Sequence, residues 1–259
     1  MQRRSFLTAA LATSASALVP SASAQATSSR EYYQLRKYTL RNGSQGKLSD
    51  QFFSTALIPA LNRLGLSPIG AFKVQFGPQT PTTYLLIPGT SLETVVDVDL
   101  LLAKDEAFLK AAEPFWSVSA KEPPFERIES TLLKAFEGYP KLTPPDKNAR
   151  RIFQLRTYES PTPADHIRKV EMFHQGEFRI FAKSGCGNVF FSDALVGPNL
   201  PKLTYMLTFP DIAALNAGWE KFSTDPDWKK LSADPRYSFE PIVSNIDNLI
   251  LNPAPYSQI

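Results

Sequence analysis

The chain has 259 residues, of which 43% are hydrophobic and 12% aromatic, enough for a sizeable core and too apolar for global disorder. Its formal charge of +3 comes from basic residues scattered among acids, which leaves no electrostatic footprint for nucleic acid. Cys186 is the only cysteine, so an intramolecular disulfide and a thiolate metal cluster are excluded, and a lone thiol of this kind reads as buried and inert.

Residues 1–24 read as an export signal. Arg3-Arg4 is followed by Phe6-Leu7, a mild apolar stretch from Leu7 to Val19, and a small-residue end at Ala22-Ser23-Ala24. The twin arginine suits a Tat leader, with a Sec leader as the alternative. Cleavage after Ala24 would start the mature chain at Gln25, with Ala26 as second choice, and would lower the charge to +1 by removing Arg3 and Arg4. The expected location is periplasmic or secreted. Beyond the leader no run is long and apolar enough to span a bilayer, so no membrane partner is expected after its removal.

Next comes an internal repeat. Gln34-Leu35-Arg36-Lys37-Tyr38 recurs as Gln154-Leu155-Arg156-Thr157-Tyr158, an offset of 120 that also pairs Phe53 with Phe173, Gly65 with Gly185, Asp105 with Asp225 and Phe108 with Trp228. One residue more pairs Tyr84 with Tyr205, and towards the end an offset of 114 pairs Phe125-Glu126 and Ser130 with Phe239-Glu240 and Ser244. The chain is a duplication.

In each copy a short alternating run around the Gln-Leu-Arg motif predicts a strand. A helix follows, over Gly46 to Leu64 and over Pro163 to Lys183, stopped by Gly65 and Gly185, with Pro59 expected to kink or split the first. Two strands come next, Ile69 to Phe76 and Thr82 to Ile87, then Val189 to Ser192 and Leu203 to Phe209. A second helix covers Leu92 to Ala112 and Asp211 to Ser223, the latter with a further turn at Asp227 to Ala233. Closing strands are expected over Glu126 to Phe136 and Pro241 to Leu251.

The order βαββαβ, twice, predicts an α+β fold of two tandem ferredoxin-like repeats. Each repeat leaves one apolar sheet face bare, and the other repeat is its natural cover, giving a barrel-type pseudo-dimer. The expected division is 1–24 leader, 30–137 first repeat, 138–150 proline-containing linker and 151–259 second repeat. Further assembly into a homo-oligomer stays open.

The second copy resembles the NIPSNAP family of the dimeric α/β-barrel superfamily. The resemblance is carried by Arg168-Lys169-Val170-Glu171-Met172-Phe173, Leu200-Pro201-Lys202-Leu203-Thr204-Tyr205, Asp225-Pro226-Asp227-Trp228-Lys229-Lys230-Leu231 and Pro255-Tyr256-Ser257-Gln258-Ile259. The first copy is similar only to the general superfamily pattern. The resemblance implies the ferredoxin-like barrel and a cavity between sheet and helices. It implies no activity, because related barrels include cofactor-free monooxygenases, dehalogenase-like proteins and haem binders.

No nucleotide loop, nucleophile elbow, Cys-x-x-Cys or His-Glu-x-x-His motif is present, and no cofactor is expected. His166 and His174, the only histidines, stand about 12 Å apart along one predicted helix at 1.5 Å per residue, too far to share a metal. Glu171 and Glu177 flank His174 at helical spacing, but a solvated charged face explains them better, so no metal is expected. For acid–base work the candidates are His174, Glu171 and Tyr205. For ligand binding they are Phe190, Tyr205, Trp219 and Trp228, an aromatic set that more often fills core. Arg36 and Arg156 could bind an anion or pair across the pseudo-twofold axis, with a structural role preferred.

Two classes of function follow. One is binding of a small apolar or aromatic ligand in the sheet–helix cavity, with a cofactor-independent monooxygenase-like reaction as its enzymatic variant. The other is a non-catalytic periplasmic interaction or structural protein. A compact apolar pocket with His174 or Tyr205 pointing in would favour the first.

Overall fold

The computed structural model describes residues 29–259, so the expected export signal and its expected cleavage site lie outside the described residues. In the first half β1 (Tyr32–Thr39) leads into a helix built from α1 (Ser44–Phe52), a π-helical turn at Phe53–Leu57 and α2 (Ile58–Arg63). Then come β2 (Gly70–Val74), β3 (Thr82–Gly89), α3 (Leu92–Val96), α4 (Val98–Leu102), α5 (Glu106–Trp116) and β4 (Arg127–Ala135). The second half repeats the plan with β5 (Ile152–Glu159), α6 (Pro163–Met172), a π turn at Phe173–Glu177, α7 (Phe178–Lys183), β6 (Gly187–Val196) and β7 (Lys202–Phe209). It ends with α8 (Ile212–Thr224), α9 (Pro226–Ser232), a 3-10 turn at Pro235–Tyr237, α10 (Phe239–Ile242) and β8 (Asn245–Pro253).

Each half forms a four-stranded antiparallel sheet, ordered β4-β1-β3-β2 and β8-β5-β7-β6. The two sheets join through β2–β8 and β6–β4 into one closed eight-stranded barrel. The fold is therefore the α+β pseudo-dimer that the duplicated βαββαβ order implies. The helices cover the outside, so most strands are buried on both faces; β3 carries seven successive buried residues. Side chains alternate along each strand. On β1, Tyr33 and Leu35 face the barrel interior, where they pack with Phe72, Phe153, Phe190 and Met206. Tyr38 faces outward into the helix layer of the first half, and Tyr158 does so in the second.

Gly65 and Gly185 stop the first helix of each repeat, as expected. They adopt φ +78° and +83°, and the next residue's amide returns to a carbonyl five positions back: Leu66 to Leu61, Cys186 to Phe181. Both repeats then tie this helix end to the cap of a later helix, α5 in the first and α9 in the second. Arg63 pairs with Asp105 at 2.6 Å and Lys183 with Asp225 at 2.7 Å, and each aspartate also caps its helix through backbone amides.

Several expectations need correction. The register places Arg36 opposite Leu85 and Arg156 opposite Tyr205, so the counterpart of Tyr205 is Leu85 and the offset stays 120; Tyr84 faces the barrel interior. The 114 offset is not a structural equivalence either. Arg36 opposes Ser130 and Arg156 opposes Asn248, an offset of 118, and Pro241 lies in α10 before the last strand begins at Asn245. Pro59 does not break its helix. The π turn beside it recurs in the second repeat, where Arg179 stands in its place, so the turn belongs to the repeat and not to the proline. The single helix expected over Leu92 to Ala112 is three short ones.

The last residues of the second half reach back to the first. Gln258 exchanges bonds with both backbone groups of Ile69, the Ser257 hydroxyl accepts from the Ala71 amide, and Ile259 is fully buried in the barrel core. No helix among the described residues is long and apolar enough to cross a membrane.

Candidate functional site

The repeated Gln-x-Arg-x-Tyr motif forms the floor under the helices in both halves. In the first repeat Gln34, Arg36 and Tyr38 project outward from β1 into a cavity of about 380 Å³ between sheet and helices. Its walls are mainly aromatic: Phe52 from α1, Phe108, Phe115 and Trp116 from α5, and Phe125 from the following loop. Phe52 stacks on Phe115 with centroids 4.0 Å apart, and Trp116, half exposed, stands at the rim.

Arg36 is the charged group in this floor and is only 5% exposed. Its Nε donates to Gln34 Oε1 at 2.7 Å and its Nη1 pairs with the exposed Asp99 at 2.9 Å, while its buried Nη2 makes no well-aligned hydrogen bond, although the Tyr38 hydroxyl lies close enough to interact with the guanidinium. Burial works against the charge, but Tyr38 and Asp99 outweigh it and hold the guanidinium's pKa above its ordinary value. Burial likewise raises the Tyr38 phenol, against the pull of Arg36. A buried donor without a well-aligned partner is costly, so Nη2 could receive an acceptor placed in the cavity. A carboxylate would suit it, because charge-assisted bonds to guanidinium are the strong ones.

In the second repeat the equivalent space is occupied. Trp219 stands where the first repeat has Asp99, at the same offset of 120, on a continuous thirteen-residue α8 instead of the broken α3–α4 pair. Its Nε1 donates to Gln154 Oε1 at 2.7 Å, and its ring lies 4.5 Å from the Arg156 guanidinium carbon. Arg156 Nη2 donates to Tyr158 at 2.9 Å, and the Tyr158 and Tyr205 hydroxyls are 2.9 Å apart. Behind them Lys169 pairs directly with Glu177, both almost fully buried. Burial pushes the Glu177 carboxyl up, against the pull of Lys169 and Arg156.

The residues singled out from sequence do not form one site. Phe190 faces the barrel interior, on the other side of the sheet from Tyr205, Trp219 and Trp228. Those three belong to a packed helix layer in which Phe173, Phe181, Phe191 and Tyr205 interleave. His174 is exposed, with both ring nitrogens engaged: Nε2 accepts from the Gly138 amide at 3.0 Å and Nδ1 meets the Val170 carbonyl at 2.8 Å. Glu171 accepts from the hydroxyl of Tyr237, a buried member of the same cluster, at 2.7 Å and forms no hydrogen bond with Tyr205. Tyr205 does point inward, but burial holds its phenol well above its ordinary pKa, which suits a structural hydrogen bond and not a base at neutral pH. Arg36 and Arg156 do not pair across the pseudo-twofold; each lies under the helices of its own repeat. Cys186 is 2% exposed and its thiol is pushed up by burial to about 11.

The cavity is thus in the copy where fewer aromatic signals drew attention. The sequence did hold the decisive sign: at an offset of 120, Asp99 replaces Trp219.

Residues 153–258 match the NIPSNAP family. The matched stretch spans the second repeat, and the first repeat lies outside it. Among solved structures, the fold is similar to a monooxygenase-like protein from Lactobacillus acidophilus, with 11% identity and a TM-score of 0.58 over 86% of this chain and 94% of the other. A second such protein, from Fusobacterium nucleatum, aligns at 10% identity and a TM-score of 0.55 over 87% of this chain and 93% of the other. A NIPSNAP-like domain protein from Burkholderia xenovorans is 17% identical over 42% of this chain and 89% of its own, with a TM-score of 0.37. For the first two, at these identities, the likeness is one of fold. No curated protein sequence matches the chain.

Proposed function

We propose that this protein binds a small aromatic ligand bearing an acidic group, in the sheet–helix cavity of its first repeat. The observation that carries this reading is a largely aromatic cavity of about 380 Å³ with the buried Arg36 guanidinium in its floor. Phe52, Phe115 and Trp116 would hold an aromatic ring by apolar contact, and Arg36 would take the acid. The NIPSNAP repeat, with Trp219 in the equivalent place, would act as the closed half that supports the open one. Binding is also the reading that needs no catalytic constellation.

The same proposal places the protein outside the cytoplasm, on the strength of Arg3-Arg4, the mild apolar stretch and Ala22-Ser23-Ala24 in that order. Edman sequencing of the protein from its own host should then start at Gln25. A chain still beginning at Met1 in the soluble fraction would overturn the export part.

The ligand part is tested by native mass spectrometry of the protein from its own host, with and without Arg36→Gln. A small acid that accompanies the wild type, leaves on denaturation and is missing from the variant supports the reading. A wild type that carries nothing, and retains none of a panel of aromatic carboxylates, overturns it.

A further inference from the structure

The barrel has a second opening that the ligand reading does not use. At one end its interior is polar and encloses a cavity of about 280 Å³. Charged groups come to this mouth from several strands: Lys37 from β1, Glu129 from β4, Lys202 from β7 and Asp247 from β8, with the Tyr84 hydroxyl from β3. Deeper in, Thr157 and Thr204 share a hydrogen bond of 3.1 Å. Beyond them the interior becomes apolar, so the chamber is closed below.

The two lysines differ. Lys37 pairs with Glu129 at 3.1 Å. Lys202 is only 8% exposed, lines the cavity, and makes no hydrogen bond or ion pair with any described residue. Burial lowers its ammonium's pKa below the ordinary lysine value, although Glu159, Asp247 and Glu129 pull the other way. A lysine of this kind carries more of the free amine near neutral pH than a surface lysine, and the free amine is the nucleophile.

The charge around it narrows the choice of ligand. Three carboxylates act on Lys202, and one of them is matched by Lys37. An anion entering the mouth would meet excess negative charge, and a cation would compete with Lys37 and with the protonated fraction of Lys202. An uncharged carbonyl compound meets neither obstacle, and the hydroxyls of Tyr84, Thr157 and Thr204 offer it hydrogen bonds.

We propose that the barrel mouth is a second site, at which the Lys202 amine forms an imine with a small uncharged aldehyde or ketone. The amine nitrogen attacks the carbonyl carbon and gives up one proton as the carbonyl oxygen takes one, forming a carbinolamine. Its hydroxyl takes a second proton and leaves as water while the nitrogen lone pair forms the C=N bond, and loss of the remaining nitrogen proton leaves the neutral imine; no oxidant or reductant is consumed. Glu129 and Asp247, on the same lining, are placed to carry the protons.

The test uses glycolaldehyde, a small uncharged hydroxyaldehyde, with sodium cyanoborohydride to reduce any imine to a stable secondary amine. Peptide mapping of the folded protein at pH 7 then compares Lys202 with the exposed Lys47 and Lys121. The expected result is labelling at Lys202 at least tenfold faster than at either, with a pH profile displaced to lower pH. Lys202→Arg keeps the charge and should lose that adduct while retaining the far-ultraviolet circular dichroism of the wild type. Should that variant fail to fold, the comparison within the wild type still decides. Labelling of Lys202 no faster than the surface lysines, or only after urea is added, overturns the proposal.

Discussion

Trp219 donates its indole N–H to Gln154 Oε1 at 2.7 Å, and by doing so closes in the second repeat the space that remains open over Gln34 in the first. The two halves share floor residues, helix stops and cap–base pairs. They differ at the residue that either fills the sheet–helix layer or leaves it open. A duplication releases one copy to vary while the other keeps the packing, and the variation here sits directly over the repeated Gln-x-Arg-x-Tyr floor.

Removing the plug should therefore cost stability without touching the first cavity. Trp219→Ala is expected to lower unfolding free energy by about 3 kcal/mol, at the low end for a large aromatic because the ring is half-buried. Urea denaturation measures it. A loss below about 1 kcal/mol would mean that Trp219 is not filling the layer.

The buried Lys169–Glu177 pair predicts a strongly non-additive result. Either Lys169→Met or Glu177→Leu alone strands a charge in the core and should cost about 3–5 kcal/mol. The two together should recover most of that loss, since an apolar pair of similar volume suits this aromatic surrounding. A double-mutant cycle in urea checks this, and simple additivity of the two losses would refute it.

Tyr205 gives a pH prediction. Its folded phenol lies well above the ordinary value near 10, through burial first and then the neighbouring Tyr158. Above pH 10 the unfolded chain therefore loses this proton before the folded one does. The stability tied to Tyr205 is complete below that pH and falls as pH rises past it. Tyr205→Phe should flatten the alkaline fall in the urea midpoint. An unaltered alkaline slope would show that Tyr205 ionises freely in the fold.

Much of this architecture was legible from spacing. The 120-residue offset found both floors, both helix stops at Gly65 and Gly185, and both aspartate caps, because each of these is a local backbone or capping requirement. The ends of the repeats were misread where matching letters were trusted over strand register. Ser130 and Ser244 look alike, but backbone pairing puts Ser130 opposite Arg36 and Asn248 opposite Arg156.

The site was harder to read. Aromatic density drew attention to Trp219 and Trp228, but density is what a filled layer produces. A cavity is marked by what is missing, and the missing tryptophan at Asp99 was visible only by comparing the copies. His174 was chosen for its chemistry, yet helix phase turns it outward, where it ties down the Gly138 loop. Strand alternation alone does not reveal that the Lys202 amine makes no hydrogen bond or ion pair with any described residue.

Calorimetric titration of 2-naphthoate into the wild type, Arg36→Gln and His174→Ala tests the central claim most directly. The account predicts binding to the wild type, a loss of about 10- to 100-fold in Arg36→Gln from one charge-assisted bond, and wild-type affinity in His174→Ala. Uncharged 2-methylnaphthalene should not distinguish wild type from Arg36→Gln. Equal 2-naphthoate affinity in wild type and Arg36→Gln, or no binding to the wild type, would contradict it.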